Sequence, residues 1–326
     1  SGFPVVASAD AVMPSFLLEL AVSLPVGSVV PSADRSNEET AVTVDRARLR
    51  GPEGTPNESR SWWLREALAA DSGAPCPPLM GRVRADVAIV GGGYTGLWTA
   101  FHLKQADPGA DVVLLEADIC GGGPSGRNGG FMYGLWEDFP VLVDLFGTEG
   151  AVRVGQASER AVDLAEDVFR KAGIEIWFQR SGYLTVSTSP VFDEAIDEVR
   201  RLQSRDGFPA GLFQLLSAPE VADRCRSPQF RAGVLQTQGA TVQPARLARG
   251  LRALVLDMGV RIYEGTPVDV IEGGTLVKIV TRGGEVAADQ VRGRPRLLVG
   301  AGQRAASSAG DAGDAVFTHD PLHPLA

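Results

Sequence analysis

The sequence predicts an α/β fold, a parallel sheet with helices packed on it and a second, α+β segment interleaved, and three observations carry that prediction. Ala85-Asp-Val-Ala-Ile-Val90 ends in a continuous apolar run, as a strand buried on both faces requires, and stops at Gly91-Gly-Gly93. Ala100 and Leu103 continue an apolar helical stripe, Gly109 closes the connection, and Val112-Val-Leu-Leu115 supplies a second buried strand ending at Glu116. Beyond residue 141, helical stripes alternate with short β-rich runs.

The first of these stretches has the form of a Rossmann-like dinucleotide site. Gly91 permits the tight turn, Gly93 lets the backbone approach a pyrophosphate, and Gly96 lets the following helix pack closely on the strand. That helix opens at Tyr94 and Thr95, where unpaired N–H groups and the helix dipole favour phosphate. Glu116, twenty residues beyond Gly96, is placed to accept from ribose hydroxyls. Glycines fall at such spacings by chance in a chain that has 39 of them, so the weight lies on strand, helix and acid occurring in order.

A second glycine loop, Asp118-Ile-Cys-Gly-Gly-Gly-Pro-Ser-Gly-Arg-Asn-Gly-Gly130, follows directly and favours FAD over NAD. Its N–H groups, the Ser125 hydroxyl and the Arg127 guanidinium could hold pyrophosphate or approach a flavin ring. Composition alone also allows a flexible surface loop. Pro124 removes one N–H from it.

Later elements follow in order. Val162, Ala165, Val168, Phe169 and Ala172 recur at helical spacing up to Gly173. Pro244 opens a helix with Leu247, Leu251, Leu254 and Met258 on one face, ended by Gly259; Arg246, Arg249 and Arg252 are expected on its solvated face. Val260-Arg-Ile-Tyr263 reads as a strand, and Leu276-Val-Lys-Ile-Val-Thr281 with Gly283-Gly-Glu-Val-Ala287 as a hairpin.

Gly91–Gly96, Ala100, Glu116 and Ser125-Gly-Arg-Asn-Gly-Gly130 together resemble the FAD-dependent amine and amino-acid oxidases of the D-amino-acid oxidase superfamily. Ser61-Trp-Trp-Leu64, Cys120-Gly-Gly-Gly123, Gly182-Tyr-Leu184 and residues 239–251 resemble its gamma-glutamylputrescine oxidoreductase branch. The resemblance implies a Rossmann-like FAD-binding domain starting at 60–140, an interleaved α+β substrate domain segment at 141–238 and a return to the FAD-binding domain at 239–291. It further implies that Gly126 belongs to the cofactor loop, that Asn128, Gly129 and Gly130 lie near the flavin, and that the Val268 backbone meets the adenine. The reaction it implies is hydride transfer from the carbon beside a neutral amine to the flavin, with oxygen as acceptor and a small-molecule amine or amino acid as substrate. A gamma-glutamylputrescine-like conjugate is the expected substrate. No catalytic residue is assigned. A catalytically inactive flavin- or nucleotide-binding fragment, or an NAD-dependent dehydrogenase using only the first glycine turn, are the alternatives.

The likeness stops after Val291, so the C-terminal part is expected to be incomplete, by a reading-frame shift or truncation, and 292–326 to be a disordered tail. A variant turn at Gly300-Ala-Gly302 after a strand Leu297-Leu-Val299 is the other reading. Residues 1–59, rich in Pro, Ser, Glu and Arg towards their end, are expected to be a disordered lead.

Composition bounds the rest. A chain of 326 residues, 44% hydrophobic, suits one or two domains, and its formal charge of −9 argues against a nucleic-acid partner, which wants a basic face. Phe16–Leu24 is interrupted by Glu19, has no positive charge ahead of it and is too short to span a bilayer, so no membrane partner and a cytoplasmic location are expected. Cys76, Cys120 and Cys225 show no paired or metal spacing, and Cys120 reads as a small packed residue. Neither His102, inside the first helix, nor His319 or His323 is a persuasive base.

Overall fold

A computed structural model describes residues 41–43, 60–71, 73–273 and 276–293. In chain order the elements are β1 (Ala41–Thr43), α1 (Trp62–Ala70), β2 (Gly81–Val90), α2 (Tyr94–Ala106), β3 (Val112–Leu115), a 3-10 turn (Pro124–Gly126) and β4 (Phe131–Met132). There follow α3 (Phe139–Ala172), β5 (Tyr183–Ser187), α4 (Pro190–Gln203), β6 (Phe213–Ser217), α5 (Ala218–Ala222), β7 (Ala232–Gln236) and β8 (Ala240–Thr241). The last elements are α6 (Pro244–Asp257), β9 (Arg261–Tyr263), β10 (Val268–Glu272), β11 (Val277–Thr281) and β12 (Gly284–Gly293).

The main sheet has the order β1-β10-β11-β12-β2-β3-β9. Its β12, β2, β3 and β9 run parallel, with Val87 opposite Val112 and Leu114 opposite Ile262. Side chains alternate across this sheet. Val87, Ile89, Val112 and Leu114 enter one core with Leu97, Phe101, Leu247 and Leu251 of α2 and α6. Ala88, Val90, Val113 and Leu115 enter another with Val268, Ile271, Ile279 and Val286 of the antiparallel strands. Both faces of β2 and β3 are therefore covered, helices on one side and β-meander on the other, which explains their unbroken apolar runs.

The smaller sheet, β5-β7-β6, is antiparallel, and a core of Trp136, Phe139, Leu142, Val154, Leu202 and Val234 packs beside it. The backbone at Gly147 (φ 69°, ψ 169°) leaves helical geometry and bends α3 there. The expected boundary at residue 140 falls inside α3: Leu142 and Val154 join the smaller core, whereas Ala165 and Phe169 join that under α2 and α6. Gly173, in the left-handed region, ends α3 where the sequence placed the stop.

Two expectations need correction. Arg249 and Arg252 are buried, at 8% and 1% exposure, not solvated. The connection between α1 and β2 crosses this face of α6, and Glu264 below it supplies the counter-charge: Arg249 donates to Glu264 at 3.1 Å and Arg252 at 3.2 Å. Arg249 also pairs with Asp71 at 2.7 Å, and Arg246 pairs with Glu66 of α1. The expected disordered lead contains β1, whose Val42 lies opposite Ile271, because the free edge of β10 offers unpaired backbone groups to any extended segment. The rest of the lead, and the tail with Leu297–Val299, Gly300-Ala-Gly302, His319 and His323, lie outside the described residues. Among the described residues no helix is long and apolar enough to cross a membrane, and no cluster of side chains could hold a metal ion.

Candidate cofactor site

The two glycine loops meet at the C-terminal ends of β2 and β3, the edge at which ligands sit in open α/β sheets. Gly91 (φ 107°) turns the chain out of β2 while its N–H stays bonded to the Leu115 carbonyl at 2.8 Å. A Cβ on Gly96 would overlap the Gly91 carbonyl oxygen, so α2 can start this close to the sheet only with glycine there. The second loop repeats the device: Gly121 (φ 80°) is followed five residues on by Gly126, where a Cβ would overlap the Gly121 carbonyl oxygen.

The loops are bonded to each other. Gly121 N–H donates to the Gly92 carbonyl at 2.9 Å, and Ser125 Oγ accepts from Tyr94 N–H, in the first turn of α2, at 2.9 Å. Gly93 therefore has a different neighbour from the one its spacing suggests: a Cβ there would come 3.0 Å from Ser125 Oγ, so its bare Cα admits the serine. The open backbone lies instead at Gly91 and Gly123, beside which an added Cβ would meet nothing within 4 Å.

Glu116 closes one end. Its Oε2 accepts from Gly92 N–H at 2.6 Å and its Oε1 from Asp118 N–H at 3.0 Å. Burial pushes its carboxyl up from the usual range, against these two N–H groups, which lower it. A carboxylate has about four lone-pair sites, so two remain for sugar hydroxyls. Thr266 N–H donates to the Glu116 carbonyl at 2.8 Å, which brings the chain entering β10, with Val268 buried at its start, alongside Glu116.

The remaining candidates divide. Tyr94 turns its ring into the core, its phenol donating to the Pro244 carbonyl at 2.8 Å and its pKa raised by burial, and its N–H is the one seated on Ser125, so its part is to join the loops. Thr95 is exposed on the first turn. Arg127 is exposed, its Nε donating to the Gly123 carbonyl at 3.2 Å. Asn128 staples the second loop: Nδ2 donates to the Ser125 carbonyl at 3.0 Å and Oδ1 accepts from Gly130 N–H at 2.8 Å. Gly130 is buried where a Cβ would overlap the Val242 carbonyl oxygen, and Gly129 is exposed beside the Phe131 ring. Cys120 is fully buried and burial raises its thiol well above the ordinary range, in keeping with a packed, unreactive residue. His102 stacks on Trp98, and burial lowers its pKa.

Sequence reasoning missed Glu264. It accepts from Cys120 N–H at 2.8 Å and Cys76 N–H at 3.2 Å as well as from two arginines, and so supports the second loop from beneath. An acid directly after the short strand β9 was the available signal, but its partners are distant in sequence. Gly92 was missed too: a Cβ there would lie 2.5 Å from Cys120 Sγ, and its N–H and carbonyl join Glu116 to Gly121.

Two successive backbone cradles, open at Gly91 and Gly123 and ended by a carboxylate, suit an extended dinucleotide. The comparisons with known proteins agree. The family model described as FAD dependent oxidoreductase matches residues 86–325, running past Val291 where the motif resemblance ends. Gamma-glutamylputrescine oxidoreductase of Escherichia coli (strain K12) is 30% identical over 226 residues, 69% of this chain and 52% of that protein. "Probable oxidoreductase OrdL" of Rhizobium meliloti (strain 1021) is 34% identical over 223 residues, 66% of this chain and 50% of that protein. The chain spans about half the length of these relatives. Glycine oxidase from Geobacillus kaustophilus superposes with a TM-score of 0.53 at 25% identity, covering 65% of this chain and 55% of that one. The chain thus belongs to the FAD dependent oxidoreductase family, and its two glycine loops fit the cofactor that family carries.

Proposed function

We propose that this chain binds FAD across its two glycine loops and belongs to an oxidoreductase that oxidises a C–N bond of an amine or amino acid. The observation that carries the reading is the interlock of the loops, Gly121 on Gly92 and Ser125 on Tyr94, which makes one continuous cradle from two separate turns. A single-turn NAD site has no use for the second. The bound flavin supplies the electron acceptor that side chains lack.

The residues divide the work by position. Gly91 and Thr95 present backbone at the α2 N-terminus, where Gly93 admits Ser125 and Gly96 seats the helix; Glu116 receives the ribose, and Gly123, Ser125, Gly126 and Arg127 follow the diphosphate towards Asn128, Gly129 and Gly130 near the flavin. The Gly130 carbonyl accepts from Val242 N–H, just after β8, at 2.8 Å, and so ties the end of the loop to the segment that leads into α6. The Val268 backbone lies on the adenine side. For the substrate we favour a gamma-glutamylputrescine-like amine conjugate, supported by the E. coli relative and by Ser61–Leu64 and residues 239–251. Three free cysteines support a reducing, cytoplasmic setting.

The visible spectrum of the purified protein tests this. Flavin bands that bleach anaerobically on adding a gamma-glutamylated diamine are the expected result. Bands that no amine or amino acid bleaches would reduce the reading to a nucleotide-binding fragment, and a colourless protein that binds NADH would replace it.

A further inference from the structure

We propose that Arg60 and Ser61, at the start of α1, are positioning residues of the cofactor site: they hold the second glycine loop and the Glu116 carboxylate in the geometry that receives the dinucleotide. The inference rests on the FAD reading above, but concerns a segment that the family match, beginning at residue 86, does not include.

Two tethers run from α1 to the cradle. Both terminal nitrogens of Arg60 donate to Asp118, at 2.7 and 2.9 Å. Asp118 is the hub of the turn after β3: its N–H donates to Glu116 Oε1 at 3.0 Å, and its carbonyl accepts from Gly265 N–H at 2.7 Å. Fixing Asp118 therefore fixes the carboxylate two residues before it. Ser61 uses one hydroxyl twice, accepting from Leu64 N–H at 3.2 Å as the cap of α1 and donating to the Gly126 carbonyl at 3.1 Å. Gly126 ends the 3-10 turn that carries Ser125, the residue seated on α2.

The tethers have a firm anchor. Leu64 and Ala67 are buried against Ala245 of α6, and Gln243 donates to the Trp63 carbonyl and to Glu66, both at 2.7 Å. Charge points the same way. Arg60 is the cation paired with Asp118, two residues from Glu116 on the turn where a diphosphate would arrive, its guanidinium held more basic by Asp118 first and by the buried Glu264 further off. Without Arg60, Asp118 would face an incoming anion uncompensated.

An ordinary surface ion pair with a helix cap would make the same contacts but would not order the loop, and that difference can be read without cofactor. In the full-length apoprotein, Arg60→Met is expected to speed amide hydrogen exchange within residues 118–130 about tenfold, the scale of one charge-assisted hydrogen bond, with little change in global melting because an ion pair whose carboxylate is half-exposed adds little to overall stability. FAD affinity, followed by quenching of flavin fluorescence, is expected to fall by about the same factor, with Arg60→Lys intermediate. Ser61→Asp, which keeps a capping acceptor but removes the donor to Gly126, is the second variant and should loosen the same loop. Unchanged exchange in both variants overturns the proposal, as does unchanged FAD affinity in Arg60→Met. Wild-type protein that fails to bind FAD would instead sink the cofactor reading, leaving the exchange measurement to decide whether the tether orders the loop.

Discussion

Gly91 and Gly96 sit five residues apart and exclude a side chain for different reasons, which separates two kinds of cost. An alanine at Gly96 would drive its Cβ into the Gly91 carbonyl, so it must push α2 off the sheet; we expect a loss of about 3 kcal/mol or more in urea unfolding. An alanine at Gly91 meets open space and carries only the strain of φ 107°, so we expect a loss of about 1–3 kcal/mol with α2 in place. Glu116 gives a pH test. Its folded-state pKa is raised, chiefly by burial, above the ordinary value of 4.5. Its contribution to stability is thus fully present below the unfolded pKa and lost as pH rises through the folded one. Unfolding free energies taken from about pH 4 to about pH 8 should show that loss in the wild type, and Glu116→Gln should lack it. Gly91, Gly96 and Glu116 were legible because strand, turn and helix are contiguous in sequence. The inward turn of Tyr94 was not, since its partner, the Pro244 carbonyl, lies 150 residues away.

At the level of elements, the helices were read well wherever a stop residue followed an apolar stripe: α3 ends at Gly173, and Gly259 follows the last turn of α6 as the sequence indicates. The solvated face assigned to α6 was wrong because periodicity reports which face is apolar and says nothing of what covers the other. Here the chain between α1 and β2 covers it, and Arg249 and Arg252 are neutralised by Glu264 and Asp71. Glu264→Gln would leave the buried Arg252 guanidinium without a carboxylate partner and Arg249 with Asp71 alone. We expect a loss of about 3–5 kcal/mol, measured by urea unfolding, with the second glycine loop loosened because Cys120 N–H loses its charged acceptor. In α1, Leu64→Ala should cost about 2–4 kcal/mol, since Leu64 is almost fully buried against α6.

Across the whole molecule, the α/β class and the order of segments follow from local patterns, but the stacking of the β-meander on the parallel sheet does not. It depends on β12 pairing antiparallel with β11 on one side and parallel with β2 on the other, a long-range choice that no window of sequence contains. The same layering puts both glycine loops at one sheet edge, so the cofactor site is a property of the assembled fold. The most direct test is a titration of the apoprotein with FAD, with Glu116→Ala alongside. Saturable quenching at one FAD per chain, weakened about tenfold or more in the variant, is the predicted result. No saturation, or equal affinity with and without the Glu116 carboxylate, would contradict a dinucleotide cradle at these loops.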